Sequence, residues 1–448
     1  MTVRSPPSGP QPAIPPKTQP REPELPKSEP AVPRTPVRRA PSAGVADGFT
    51  PAPPGRAGTL GGAVGAAGGM RAPRTPEEAV RDAERVLEMG MRGESALNGG
   101  EVTSNPGEVN DPGTGIYGRM REAKAQLVLQ QNAALEEEAL QGLTPEQQAQ
   151  YKALRQFLKD AEDPLALLSL QKMLLNGELP GARALGGTDD VLSGLHGLIS
   201  QPLADGVDRS QLLTDAVQEL ACPSAVAQQG KGTCAATSVE ILLLRENPAE
   251  YVRILAGLAS PEGTVRLASG DVVRREEGTA AEDGTGRSVP QRLIAPVFME
   301  YANGRADYDN STDHHTEEGV DKGRGLSAAQ VDLLLEGIFG KDFTFANVVG
   351  TPEAAEAAWQ FIQEELAAGR AVLVGLRWGG GGHKVVVTGT ETLDGERWVT
   401  FINPWGQEER LPEAEFLERL RNLNYEATPP GSSGGGGGGG VGARGTRA

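Results

Sequence analysis

Between residues 76 and 220 apolar side chains recur three and four apart, whereas from 371 onward they alternate with polar ones or run together over short stretches. The first pattern lays an apolar stripe along helices, and the second fits strands whose successive side chains point to opposite faces. Thr75-Pro76-Glu77-Glu78 opens the helical set with a capping hydroxyl, an early proline and two acids, leading into AVRDAERVLEMG and a stop at Gly90. Residues 96–115 read as a loop, and further helices are predicted over about 117–141, 145–160, 164–176, 188–200 and 209–220.

From 221 the texture changes. A buried helix is predicted from Cys234 to Leu244, a second helix over 248–258, and a hairpin over 264–275 around Ser269-Gly270-Asp271. A polar loop, 276–287, precedes a helix over 289–301, and 308–325 reads as a long insert without regular structure, the kind of loop that lies beside substrates. Ser327 caps a helix to 338, 343–349 is a strand, and a helix over 352–368 ends at Gly369. Strands then follow at 371–378, 383–393 and 398–403, with a turn at Asp394-Gly395 and a last helix over 413–420. Helices first and an antiparallel strand cluster afterwards is the order of an α+β fold.

Composition divides the chain further. Eighteen of the 34 prolines lie in the first 76 residues, and residues 434–440 are all glycine. The reading is therefore a disordered leader over 1–75, a helical module over 76–220 serving as propiece or partner-binding region, a compact domain over 221–430, and a disordered tail over 431–448. The net charge is -17, yet residues 1–76 hold ten Lys/Arg against four Asp/Glu, which leaves 77–430 at -25. So acidic a body argues against a nucleic-acid partner, since phosphate backbones are bound by clustered cations. Two cysteines exclude a disulfide-rich scaffold, and Cys222 reads as a small buried residue. MTVRSPPSGPQPAIPP lacks the apolar core of a Sec signal, and no apolar run approaches the ~18 residues of a membrane span. The expectation is a soluble protein, cytoplasmic or exported by a non-Sec route.

The chemistry gathers around QQGKGTCAATSVEILLL, residues 228–244, in which Cys234 begins a helix. Unpaired N–H groups and the positive end of the helix dipole both favour a thiolate there. His383 follows the glycines at 379–382 and starts an apolar strand; Asn403 ends the next strand across a tight hairpin. Thiol, imidazole and amide are a nucleophile, its base and the group that orients the base. Gly230-Lys231-Gly232-Thr233 breaks the order of a phosphate loop, and Asp313-His314-His315 reads as a solvated loop because adjacent side chains point apart. No cofactor is called for.

Residues 221–420 resemble the papain-like cysteine peptidase superfamily, including calpains and the bacterial peptidases that process bacteriocin leaders. The resemblance rests on Cys234 with Gln228 six residues upstream, His383 149 residues downstream, and Asn403-Pro404-Trp405-Gly406 twenty further on. It implies a papain-like fold, with the nucleophile helix packed on an antiparallel sheet. It implies a Cys234–His383–Asn403 triad and an oxyanion hole from Gln228, with Gln229 as the alternative register. Gly232 and Trp405 also match, Trp405 as a cover over the His383–Asn403 hydrogen bond. Thr233 and Ala235 depart from the family's residues beside the cysteine. The activity implied is hydrolysis of peptide bonds in a protein or peptide substrate, and the proline-rich leader is compatible with a bacterial effector or toxin. A deamidase, transglutaminase or other acyltransferase with the same triad stays open, as does an inactive binding protein, because fold does not fix reaction.

Overall fold

The computed structural model describes residues 75–89, 92–94, 115–348, 351–378 and 381–427. The chain divides into two units, Met1–Gly69 and Met70–Ala448, and every described residue belongs to the second. The leader as far as residue 74 and the tail from 428 lie outside the described residues, so the expectation of disorder there is not addressed. The stop at Gly90 and nearly all of the loop expected over 96–115 lie outside them too.

The fold is mixed α+β. Its helical part comprises α1 (Pro76–Leu87), α2 (Gly115–Gln141), α3 (Pro145–Asp160), α4 (Pro164–Leu175), α5 (Val191–Leu198) and α6 (Arg209–Ala221), with a short strand β1 (Arg92–Glu94) between the first two. Their starts are written in the sequence: Thr75, Thr144, Asp163, Asp190 and Asp208 each accept a first-turn N–H, and proline opens α1, α3 and α4. The helices α8 (Pro248–Ala259) and α9 (Val289–Ala302) pack on α5 and α6, and α7 (Cys234–Glu246) and α10 (Ala328–Phe339) pack on them in turn, with the hairpin β2 (Thr264–Arg266) and β3 (Val272–Arg274) alongside.

One apolar core runs from Leu154 of α3 through Val217 of α6, Val239 of α7, Ile254 of α8 and Leu293 of α9. It shows no break at residue 220, so the stretches drawn as a helical module and a separate domain share their interior.

That core ends on one face of a sheet. The strands β7 (Phe343–Asn347), β8 (Val372–Trp378), β9 (Gly381–Leu393), β10 (Glu396–Asn403), β11 (Gln407–Pro412) and β12 (Leu420–Glu426) join β1 in the order β1-β11-β10-β9-β8-β12-β7. All pairs are antiparallel except β1 with β11. Strand alternation gives each face its own core. Leu373, Val386 and Ile402 face the main helices; Val374, Leu376, Val385, Val387 and Phe401 face Trp359 and Ile362 of α11 (Pro352–Ala367) and Phe416 of α12 (Glu413–Arg419).

The stretch 308–325 is not the structureless insert expected. It forms most of a three-stranded meander, β4 (Asp307–Asp309), β5 (His314–Glu317) and β6 (Val320–Gly323). Its strands are three or four residues long and mostly polar, so the alternation that marks a longer strand has almost no apolar residues to carry it. The same reason hides β11, whose sequence is QEERLP.

Candidate active site

Cys234 is the first residue of α7, and it remains part-exposed. Burial raises its thiol above the ordinary value, against the lowering effects of the Lys384 backbone N–H, the Lys384 ammonium and the Ala235 N–H; Asp313 adds a further upward push. The backbone N–H groups at the helix start pull the thiol down, and burial outweighs them. One turn along α7, the Ser238 hydroxyl donates to the Lys384 carbonyl at 2.9 Å, so the helix is fastened to β9 one residue beyond His383.

His383 is buried on β9, and its Nε2 lies 2.8 Å from Asn403 Oδ1 on the neighbouring strand β10. Trp378 and Trp405 flank the imidazole, each with its ring centroid 4.9 Å away, and meet each other edge-on at 5.2 Å. This aromatic enclosure strips the ring of water. Burial pulls the imidazole down to about 4, against the upward effect of Asn403. At neutral pH the imidazole is thus neutral. The other end of the Asn403 amide, Nδ2, donates to Glu409 Oε1 at 2.9 Å.

The turn after Asn403 also carries the loop before the cysteine. Gln228 N–H donates to the Pro404 carbonyl at 2.8 Å, and Ala227 bridges Trp405. Gln228 is buried; its Nε2 donates to the Lys231 carbonyl, while its Oε1 has no hydrogen-bond partner among the described residues. Gln229 takes a left-handed φ of 53° and lines a separate cleft with Asp208, Arg287 and Arg292. The geometry therefore seats Gln228, not Gln229, beside the Asn403 turn.

Gly232 N–H donates to Asp313 Oδ2 at 2.7 Å, and a Cβ at Gly232 would come within 3.2 Å of both that oxygen and Arg324 Cβ. Asp313 is itself buried, accepts from Tyr308 at 2.8 Å, and carries a left-handed φ of 61°. The expectation of a solvated Asp313-His314-His315 loop is corrected here. His315 is buried with Nε2 3.0 Å from the Gly325 carbonyl, and His314 contacts Asp321. Among the described residues no group of three or more His, Cys, Asp or Glu is placed to hold a metal ion.

Three neighbours of the site went unread in the sequence, Trp378, Lys384 and Glu409, and Asp313 was read only as part of a solvated loop. Lys384 looks like a polar edge to an apolar strand, and Glu408-Glu409 looks like solvated charge; only strand register turns one acid inward.

No family model matches this chain, and no curated protein matches it. Among the described residues no helix is long and apolar enough to cross a membrane.

Proposed function

We propose that the chain is a papain-like cysteine peptidase that hydrolyses peptide bonds through Cys234, His383 and Asn403. The observation that carries this reading is the His383–Asn403 hydrogen bond, shielded between two indoles, on the strand whose next residue presents its backbone N–H to the Cys234 sulfur.

The chemistry follows from the protonation states. Asn403 occupies Nε2, which leaves Nδ1 of the neutral ring as the base. As the thiol attacks the scissile carbonyl, Nδ1 takes the sulfur's proton, and charge develops on the carbonyl oxygen. The Cys234 backbone N–H, unpaired within the first helical turn, and the second Nε2 hydrogen of Gln228 receive that oxyanion. Removing one such donor costs about 3–4 kcal/mol of transition-state stabilisation in comparable sites. The imidazolium then protonates the leaving amine and the C–N bond breaks, giving a thioester. Water, deprotonated by the same nitrogen, attacks the thioester; the acid leaves and the thiol recovers its proton.

Cys234→Ala and His383→Ala are each expected to lower peptide hydrolysis by about 10³-fold or more, and an epoxysuccinyl or iodoacetamide probe to label Cys234 and not Cys222. New peptide termini in the product mass spectrum identify hydrolysis; a one-dalton gain on an intact chain, or an adduct with added amine, identifies transfer to another acceptor. Hydrolysis at the wild-type rate by Cys234→Ala would overturn the reading.

A further inference from the structure

We propose that Glu409 is a positioning residue that fixes the tautomer of His383 by fixing which way the Asn403 amide points. For its catalytic consequence this rests on the peptidase reading, but its content is a proton position that can be observed without substrate.

A primary amide has nearly the same shape at its two ends. If Asn403 turns its oxygen to His383, the ring nitrogen there must be an N–H, and Nδ1 keeps its lone pair. If it turns its NH₂ group instead, Nε2 must accept, and the proton sits on Nδ1, which then has no lone pair to offer. His383 alone does not decide between these, because imidazole satisfies either end. The decision comes from the other side of the amide.

There the partner is Glu409, whose Oε1 lies 2.9 Å from Asn403 Nδ2. In the carboxylate form, the state proposed here for Glu409, it only accepts hydrogen bonds. Reversing the amide would set the Asn403 oxygen against a carboxylate oxygen and its NH₂ against His383. Asn403 is 0% exposed and Glu409 3%, so bulk water cannot compensate. The correct end of the amide is therefore selected by charge and burial, and the selection passes along Glu409–Asn403–His383 to the ring.

The chain reversal after Asn403 brings Glu409 to this place. The Pro404-Trp405-Gly406 turn, with Gly406 at a φ of 78°, folds the chain back so that Gln407 pairs with Asn403 and Glu409 with Phe401. Side chains two apart on β11 share a face, and the carboxyl of Glu409 reaches back along the strand to the amide. A Cβ at Gly406 would come within 3.2 Å of Ala227 Cβ, so the same turn also keeps the Gln228 loop against the site.

The test reads the side-chain ¹⁵N resonances of the four histidines in the full chain at pH 7, with His383 assigned by their loss in His383→Ala. The wild type is expected to show His383 protonated at Nε2 and unprotonated at Nδ1. In Glu409→Gln the neighbour of Asn403 can donate as well as accept, so the reversed Asn403 orientation is no longer excluded. The Nε2–H population is then expected to fall below that of the wild type, with a mixture of tautomers and a lower kcat. Adding Asn403→Asp to Glu409→Gln restores an acceptor-only group facing the ring, with the amide introduced on β11 donating to it, and should restore the single Nε2–H tautomer. A single Nε2–H tautomer in Glu409→Gln overturns the proposal. If that variant does not fold, mixed tautomers in the double variant overturn it instead. A wild type protonated at Nδ1 overturns both this proposal and the role of His383 as base. Absent peptidase activity with Glu409-dependent tautomers removes only the peptidase reading.

Discussion

Lys384 follows the candidate base directly, yet its side chain leaves β9 by the opposite face. It crosses the sheet over Gly375, where a Cβ would collide with Asn422 at 2.5 Å, and its ammonium donates to Asn422 Oδ1 at 2.7 Å and Asn424 Oδ1 at 2.8 Å. Both partners are neutral, so burial draws this lysine down to about 7, partly offset by the nearby Cys234 sulfur. The same proximity helps the sulfur ionise. Lys384→Met should therefore raise the pH at which iodoacetamide alkylates Cys234, and an unchanged profile would rule out any electrostatic part for the lysine. In the wild type, alkylation should already begin above the ordinary thiol range because burial dominates. The pairing of His383 with Asn403 was legible because the tight hairpin between their strands sets the two side chains side by side. Lys384 and Glu409 were not, since a charged residue beside an apolar run is normally a wet edge, and nothing local records that two asparagines, or one, wait for it across the sheet.

At the scale of elements, the helix starts could be read closely because caps are local: Ser327 with Gln330 forms a reciprocal cap at α10, and Thr144 with Gln147 does so at α3. The meander β4–β6 and strand β11 could not, because their pairing depends on tertiary partners more than on local pattern. The joint that matters most to the site is equally nonlocal. Ser238 on α7 holds the Lys384 carbonyl on β9 across 146 residues of sequence. Ser238→Ala should cost about 1 kcal/mol of stability, readable as a lower urea midpoint with an unchanged slope. If the joint also sets the sulfur's position, kcat will fall while KM changes little. A midpoint and a kcat both equal to wild type would dismiss it.

Across the whole molecule, the helices before residue 221 and those after it are tied by buried acids as well as by apolar contact. Glu219 of α6 accepts from Tyr251 of α8 at 2.6 Å and from Ser288, the cap of α9, at 2.5 Å, and it lies beside Glu240 of α7. Burial pushes Glu219 up to about 8 and Glu240 well above the carboxylate range. A carboxyl whose folded value exceeds its unfolded one favours the fold fully at low pH, and that contribution is lost as pH rises from about 4.5 to about 8. His383 acts the other way: its folded value lies below the unfolded one, so stability is gained as pH rises from about 4 to 6.5. Glu219→Gln keeps a neutral hydrogen-bonding group at every pH and should flatten the alkaline fall in the urea midpoint between pH 5 and 8. A wild-type fall that survives the substitution would show that Glu219 is not its source.

The two faces of β9 also give the site a parity. Residues 383, 385 and 387 belong to the interior with the indoles, and 384 and 386 to the interior with the main helices. Imidazole and ammonium are thus neighbours in sequence but strangers in space, told apart only by whether their position is odd or even. A strand slipped by one residue would still bury valines on both sides and still look well packed. It would hand Lys384 to Asn403 and His383 to the two asparagines of β12, exchanging an imidazole for an ammonium between the indoles without disturbing the hydrophobic pattern that built the sheet.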